Sequence, residues 1–299
     1  MMSPKSSSES AAQSASGSVS GGAPGDLHET GAQRSFKRTL TRWFHRSGSP
    51  RWFFGIANRF APWFAAAAIG LLSVGMVWGL LIAPPDYLQG NMVRVIYLHV
   101  PAAILCQSIY VMMAASAAVL LVWRIKLADW TIAVAAPMGA WMTALALFTG
   151  GIWGKPTWGT FWVWDGRTTS TLMQLFLYLG VIALRSSIAG EERAGRAAAL
   201  LCLIGLPNIF VIKYSVTWWL SMHQVSTFKL TSAPSMPPEM YAPLLVNVLG
   251  FYCLFAAALL FALRLEVLRR ERRTQWVHDW LQTGVLPLTR VRLGPESER

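Results

Sequence analysis

The sequence predicts an all-α fold: a polytopic integral membrane protein, a six-transmembrane-helix bundle with a tryptophan-rich loop on its periplasmic face. Three observations carry this. Of 299 residues, 54% are hydrophobic and only 13% charged, about half the charged share of an ordinary soluble domain. Six apolar segments fall at roughly 62–83, 97–123, 130–150, 169–185, 197–219 and 241–263, and about 20 apolar residues suffice to cross a hydrocarbon core of about 30 Å. The 26 Lys and Arg residues collect at segment ends and in both tails, so the net charge of +12 suits an anionic lipid surface, not nucleic acid.

Residues 1 to about 33 are Ser, Gly and Ala with almost no large apolar side chain, and they predict a disordered tail. No apolar stretch follows Met1, so no cleavable signal peptide is expected. Arg34 to Arg59 then mixes Arg38, Arg42, Trp43, Phe44, Arg51, Trp52 and Phe53, the composition of an interfacial anchor helix. Residues 1–59 are therefore expected to be a tail, 60–263 the membrane domain, and 264–299 a basic cytoplasmic tail. The fifth segment contains Pro207 and Lys213, which blurs its boundaries. Cys106, Cys202 and Cys253 sit inside apolar runs without a Cys-x-x-Cys spacing, and they predict packing residues. No internal repeat is visible.

Alternating topology puts twenty-one of the 26 basic residues on one side and leaves Arg94, Lys155, Arg167, Lys213 and Lys229 on the other. The positive-inside rule then makes both termini cytoplasmic. Loops 84–96, 151–168 and 220–240 are expected outside.

The run from Trp153 to Asp165 places Trp153, Trp158, Phe161, Trp162 and Trp164 within thirteen residues. An interfacial aromatic belt explains tryptophans at helix ends, but it does not ask for this density, for Gly154 and Gly159 letting the backbone approach closely, or for an adjoining acid. Were the stretch from Trp158 helical, Trp158, Phe161, Trp162 and Asp165 would share one face. Such a plate stacks well on a flat, polarizable ligand, and a porphyrin fits. Asp165, with no second acid nearby, is expected to organise the loop or a helix start by accepting backbone N–H groups.

His28, His45 and His278 lie in the tails and are expected to be solvated. His99 and His223 instead fall at the outer ends of the second and fifth segments, level with the tryptophan run. Singly, each could be an ordinary interface histidine; paired across an aromatic plate, they suggest axial ligands to haem iron. Haem propionates would need cations, and Arg94, Lys155, Arg167 and Lys229 are the outward candidates.

The run Trp153 to Asp165, followed by Gly-Arg-Thr-Thr-Ser, resembles the WWD signature of haem-handling proteins in cytochrome c biogenesis. Tyr97-Leu-His99-Val-Pro-Ala-Ala and Trp218-Trp-x-x-x-His223-Gln resemble the histidine motifs of one branch, the haem exporter protein C (CcmC) branch. The likeness covers about residues 60 to 263. It implies that His99 and His223 ligate haem b, carried as a transported ligand, and that Trp153, Trp158, Trp162, Trp164 and Asp165 form the platform. From the residues themselves, Phe161 joins the haem-binding set by stacking, and Arg94 and Arg167 join it as candidate propionate partners. The likeness also implies a site facing the periplasm from the bacterial inner membrane. The implied partners are a periplasmic haem chaperone (CcmE-like), ABC transporter subunits (CcmA- and CcmB-like), a small membrane subunit (CcmD-like) and membrane lipids. Phe161 stands where a further Trp is expected, which keeps stacking but removes an indole donor.

The leading expectation is a haem-binding export and presentation factor without catalytic residues. A cytochrome c haem lyase is an alternative, against which stand a single histidine pair and a modest length. A cytochrome b-type electron-transfer subunit is a weaker one, since His99 and His223 lie at segment ends rather than mid-bilayer.

Overall fold

The computed structural model describes residues 48–219, 221–223 and 236–284. The expected disordered tail, the expected interfacial segment up to residue 47, Lys229 and the end of the basic C-terminal tail lie outside the described residues. Helix α1 (Pro50–Val77) opens on Pro50, where a missing N–H leaves no intrahelical bond unmade. One π-helical turn, Trp78–Ile82, continues it. From Pro50 onward, therefore, the expected interfacial stretch is part of the first span. Phe54 serves packing instead: with Ala57 and Ala61 it is fully buried, while Trp52 stays exposed. Trp276 and Trp280 of a short C-terminal helix, Gln275–Thr283, meet the Phe54 ring edge-on at 5.7 and 5.0 Å.

A 3-10 turn, Asn91–Val95, leads into α2 (Ile96–Trp123). Arg124, left-handed at φ 54, closes α2 by donating its N–H to Leu120 O at 2.9 Å. The chain then enters α3 (Lys126–Trp158), α4 (Gly166–Ser187), α5 (Glu191–Gly205), α6 (Pro207–Trp218) and α7 (Pro238–Arg270). Gln275–Thr283 is α8. Glu191 and Glu192 occupy the first turn of α5, and Arg269 and Arg270 the last turn of α7, each matching the helix dipole.

Among the described residues, six stretches are long and apolar enough to cross a membrane: Pro50–Ile82, Asn91–Trp123, Lys126–Trp158, Gly166–Ser187, Glu191–Trp218 and Pro238–Arg270. The protein is an all-α, multi-pass membrane protein. The fifth span is α5 and α6 together, interrupted at Pro207. The break is stitched by Asn208, whose Nδ2 donates to Ser170 O at 2.9 Å and Gln174 Oε1 at 3.2 Å, tying the interrupted span to α4 inside the bundle.

Helices α2, α3, α4 and α5 pack against one another at the centre, and α1 lies along α7. Small residues let large ones in: Gly139 lies under the Tyr178 ring and Gly205 against the Tyr110 hydroxyl. The two tyrosines meet edge-on at 5.3 Å, and their hydroxyls donate to Cys106 O (2.6 Å) and Leu201 O (3.2 Å). Close approach over small residues is what holds helices together where lipid removes the hydrophobic drive. Cys106 and Cys202 are buried free thiols, as expected of packing residues. A methyl at Gly139 has nowhere to go, so Gly139→Ala should cost about 1–3 kcal/mol by overpacking. Thermal unfolding in detergent checks this against Gly70→Ala, whose methyl meets nothing within 4 Å. Equal midpoints for the two variants would contradict the packing argument.

Candidate functional site

The tryptophan run does not continue as a helix beyond Trp158. Gly159 adopts φ 78 and donates its N–H to Lys155 O at 3.0 Å, ending α3 in a left-handed cap. Trp153 and Trp158 thus belong to α3, residues 159–165 form a short loop, and the single face shared by Trp158, Phe161, Trp162 and Asp165 does not exist. Gly159, read from sequence as a close-approach glycine, is a helix stop. Lys155 supports the turn, with Nζ 3.3 Å from Gly159 O and 5.3 Å from the Phe161 ring centroid.

Asp165 is the N-cap of α4, accepting the Thr168 N–H at 2.8 Å, which matches its expected organising role. It does more than cap. The Ser221 hydroxyl donates to its Oδ2, and His223 Nδ1 lies 2.7 Å from the same oxygen. The chain reaches this point because α6 ends at Trp218 and Trp219 turns extended, its N–H still donated to Ser215 O at 2.9 Å. A β-carbon at Gly166 would fall 2.8 Å from the Trp219 ring, so glycine there lets the end of α6 close over the start of α4.

Burial alone would raise the Asp165 pKa. Hydrogen bonds from Ser221, the Thr168 N–H and His223 outweigh it and hold the carboxyl at about 2. Burial lowers the pKa of His223, against the pull of Asp165 and with help from Arg167, so a neutral imidazole faces an ionised carboxylate at neutral pH.

His99 sits in the first turn of α2. Its Nδ1 is 3.1 Å from Thr149 Oγ1 on α3, and its ring meets Trp153 edge-on at 5.7 Å. A β-carbon at Gly150 would stand 3.0 Å from His99 Cε1, so the imidazole lies against bare helix backbone. His223 is edge-on to Trp158 at 4.7 Å. The histidines lie near enough for a charge on His223 to be felt at His99, and the Arg167 charge reaches both.

The structure gathers both histidines, Trp153, Trp158, Asp165 and Arg167 at one end of the bundle. Trp162 and Trp164 pack edge-on at 5.3 Å, and Trp162 Nε1 is buried without a hydrogen-bond partner among the described residues. Phe161 and Trp164 are exposed. Arg94 is engaged elsewhere: its two terminal nitrogens donate to Leu80 O (2.8 Å) and Ala83 O (3.0 Å), capping the first span.

Several participants have no sequence prediction behind them. Gln89 Oε1 accepts the Trp153 indole N–H at 2.7 Å, and Thr149 and Ser221 hold the histidines. Trp218 and Trp219 extend the exposed aromatic surface, with Tyr214 stacked on Trp218 at 5.6 Å. The Thr149-Gly-Gly run, a hydroxyl beside two residues lacking side chains, was the available signal for a close approach at that helix end.

Fold and site together define a multi-pass membrane protein with two histidines set against tryptophans at one end of its bundle. Residues 43–278 match the family described as CcmC, heme exporter protein C. Among its relatives, Heme exporter protein C of Escherichia coli strain K12 is 47% identical over 235 residues, 79% of this chain and 95% of that protein. The Haemophilus influenzae protein of the same name is 40% identical over 244 residues, covering 82% and 99%. That of Bradyrhizobium diazoefficiens is 42% identical over 226 residues, covering 76% and 86%. The chain belongs to the heme exporter protein C family.

Proposed function

We propose that the chain binds haem b as cargo, with His99 and His223 as axial ligands, and presents it for cytochrome c maturation. The observation that carries this is the delivery of two histidines from different elements to one end of the bundle, each flanked edge-on by a tryptophan. The donor set suits haem iron: neutral imidazoles, no thiolate, and aromatic rings to stack on the macrocycle. The unpartnered Trp162 indole N–H and the nearby Arg167 charge suit propionate oxygens. Family membership supports export rather than catalysis, so no residue is assigned a catalytic role.

In this reading the haem site faces the periplasm from the bacterial inner membrane, and both termini are cytoplasmic. The basic asymmetry supports it, since Arg124, Lys126, Arg185, Arg193 and Arg196 all fall on the end opposite the site. An ABC transporter (CcmA- and CcmB-like subunits), a small CcmD-like subunit and a CcmE-like haem chaperone are the partners that an exporter of this family calls for.

Two experiments test these assignments. Haemin titrated into the purified full-length protein should give a six-coordinate, low-spin absorption spectrum; a purely five-coordinate spectrum would remove the paired-ligand assignment. For topology, Thr160→Cys should react with a membrane-impermeant maleimide from the periplasmic side of intact cells. Reaction only after cytoplasmic access is opened would invert the orientation.

A further inference from the structure

We infer that Thr149 and Asp165 are positioning residues that lock both histidines in the Nδ1–H tautomer and make them unequal ligands, His223 the stronger. The inference rests on the haem-ligand assignment. Each tautomer follows from counting hydrogens. Thr149 has one hydroxyl hydrogen, and its Oγ1 donates it within α3, to Leu145 O at 2.6 Å. Toward His99 Nδ1, 3.1 Å away, the same oxygen can only accept. His99 therefore carries its hydrogen on Nδ1 and presents a bare Nε2.

At the other histidine the acceptor is a carboxylate, which has no hydrogen to give. Asp165 Oδ1 accepts the Thr168 N–H at 2.8 Å, and Oδ2 accepts the Ser221 hydroxyl. His223 Nδ1, 2.7 Å from Oδ2, must be a second donor to it. Ser221, its hydrogen spent on Asp165, accepts the His223 backbone N–H at 3.1 Å. His223 too presents a bare Nε2, and its backbone is pinned along with its ring.

The two backings differ in charge. A carboxylate on the far nitrogen pulls the proton and makes Nε2 a stronger donor to a metal; the neutral acceptors around His99, the Thr149 hydroxyl and the Ala146 backbone carbonyl, orient the ring and pull the proton less. The His223 bond is then the tighter one, and the His99 bond is the first to yield when haem must leave. For a protein that holds haem only to pass it on, one firm and one yielding ligand is a useful division.

The test uses full-length protein loaded with haemin, reading affinity, reduction potential and electron paramagnetic resonance of the ferric state. Asn is a good N-cap, so Asp165→Asn keeps the start of α4 while removing the charge. It should raise the reduction potential and weaken haem binding by about 10–100-fold, the usual cost of losing an outer-shell partner. Thr149→Val should move the potential in the same direction by less, and Thr149→Ser should restore it. Ser221→Ala, by leaving Oδ2 to His223 alone, should lower the potential, a change of opposite sign that mere loss of structure would not produce. Wild-type potentials in Asp165→Asn and Ser221→Ala, with His99→Ala and His223→Ala impaired, would overturn the positioning role and leave haem ligation standing. A larger shift in Thr149→Val than in Asp165→Asn would overturn the inequality. Unimpaired haem binding in both histidine variants would instead overturn the ligand assignment, and this inference with it.

Discussion

His99→Ala and His223→Ala should each lose haem binding by more than the about 10–100-fold that removing an outer-shell partner costs, while the bundle stays folded. The fold should survive because neither deletion orphans a buried polar group. Without the His223 ring, Asp165 keeps the Thr168 N–H at 2.8 Å and the Ser221 hydroxyl, so α4 remains capped. Without the His99 ring, Thr149 keeps its bond to Leu145 O at 2.6 Å. An unpaired buried group would cost about 1–3 kcal/mol, and neither variant creates one. Haem affinity by titration and thermal unfolding of the haem-free protein separate the two effects. Binding like wild type in both variants would exclude them as ligands. A collapsed melting transition would show that these side chains hold the bundle together, contrary to the contacts found here.

The spans were legible because an apolar run of sufficient length must be helical in a bilayer, whatever its neighbours do. His223 was placed on the same side as His99 by counting spans alone. Asp165 was legible as a cap, because an acid followed by Gly-Arg-Thr and an apolar run has few other uses. What stayed open was local: whether the helix runs past Trp158 depends on Gly159, since glycine can pack closely or take a positive φ, and sequence does not say which. The reach of α1 was missed for another reason. Phe54 looked like a headgroup anchor until Trp276 and Trp280, from the far end of the chain, were seen against it. The pairings that shape the site, Asp165 with His223, Thr149 with His99 and Gln89 with Trp153, span separations of 58, 50 and 64 residues. They are products of helix packing, and no local pattern encodes them.

Haem should make the proposed complex between this protein and a periplasmic haem chaperone far more stable than it is without haem. The exposed rings of Phe161, Trp164, Trp218 and Trp219 lie at the same end as the histidines, so that end of the bundle presents an open aromatic rim. A partner docked over that rim could reach the porphyrin edge while the iron is still held. If haem touches both proteins, linkage requires that it strengthen their association by the same factor by which the partner strengthens haem binding, and couplings of this kind are commonly about 5–150-fold. His99→Ala and His223→Ala should therefore weaken the complex only in the presence of haem, because neither residue lies on the exposed rim. Trp164→Ala should weaken it in both conditions, since that ring is part of the surface itself. Recovery of the chaperone on immobilised protein, with haem supplied or depleted, reads all of these. Equal recovery with and without haem in the wild type would mean that haem does not bridge the partners, and the hand-over would then have to proceed by release into solution and recapture.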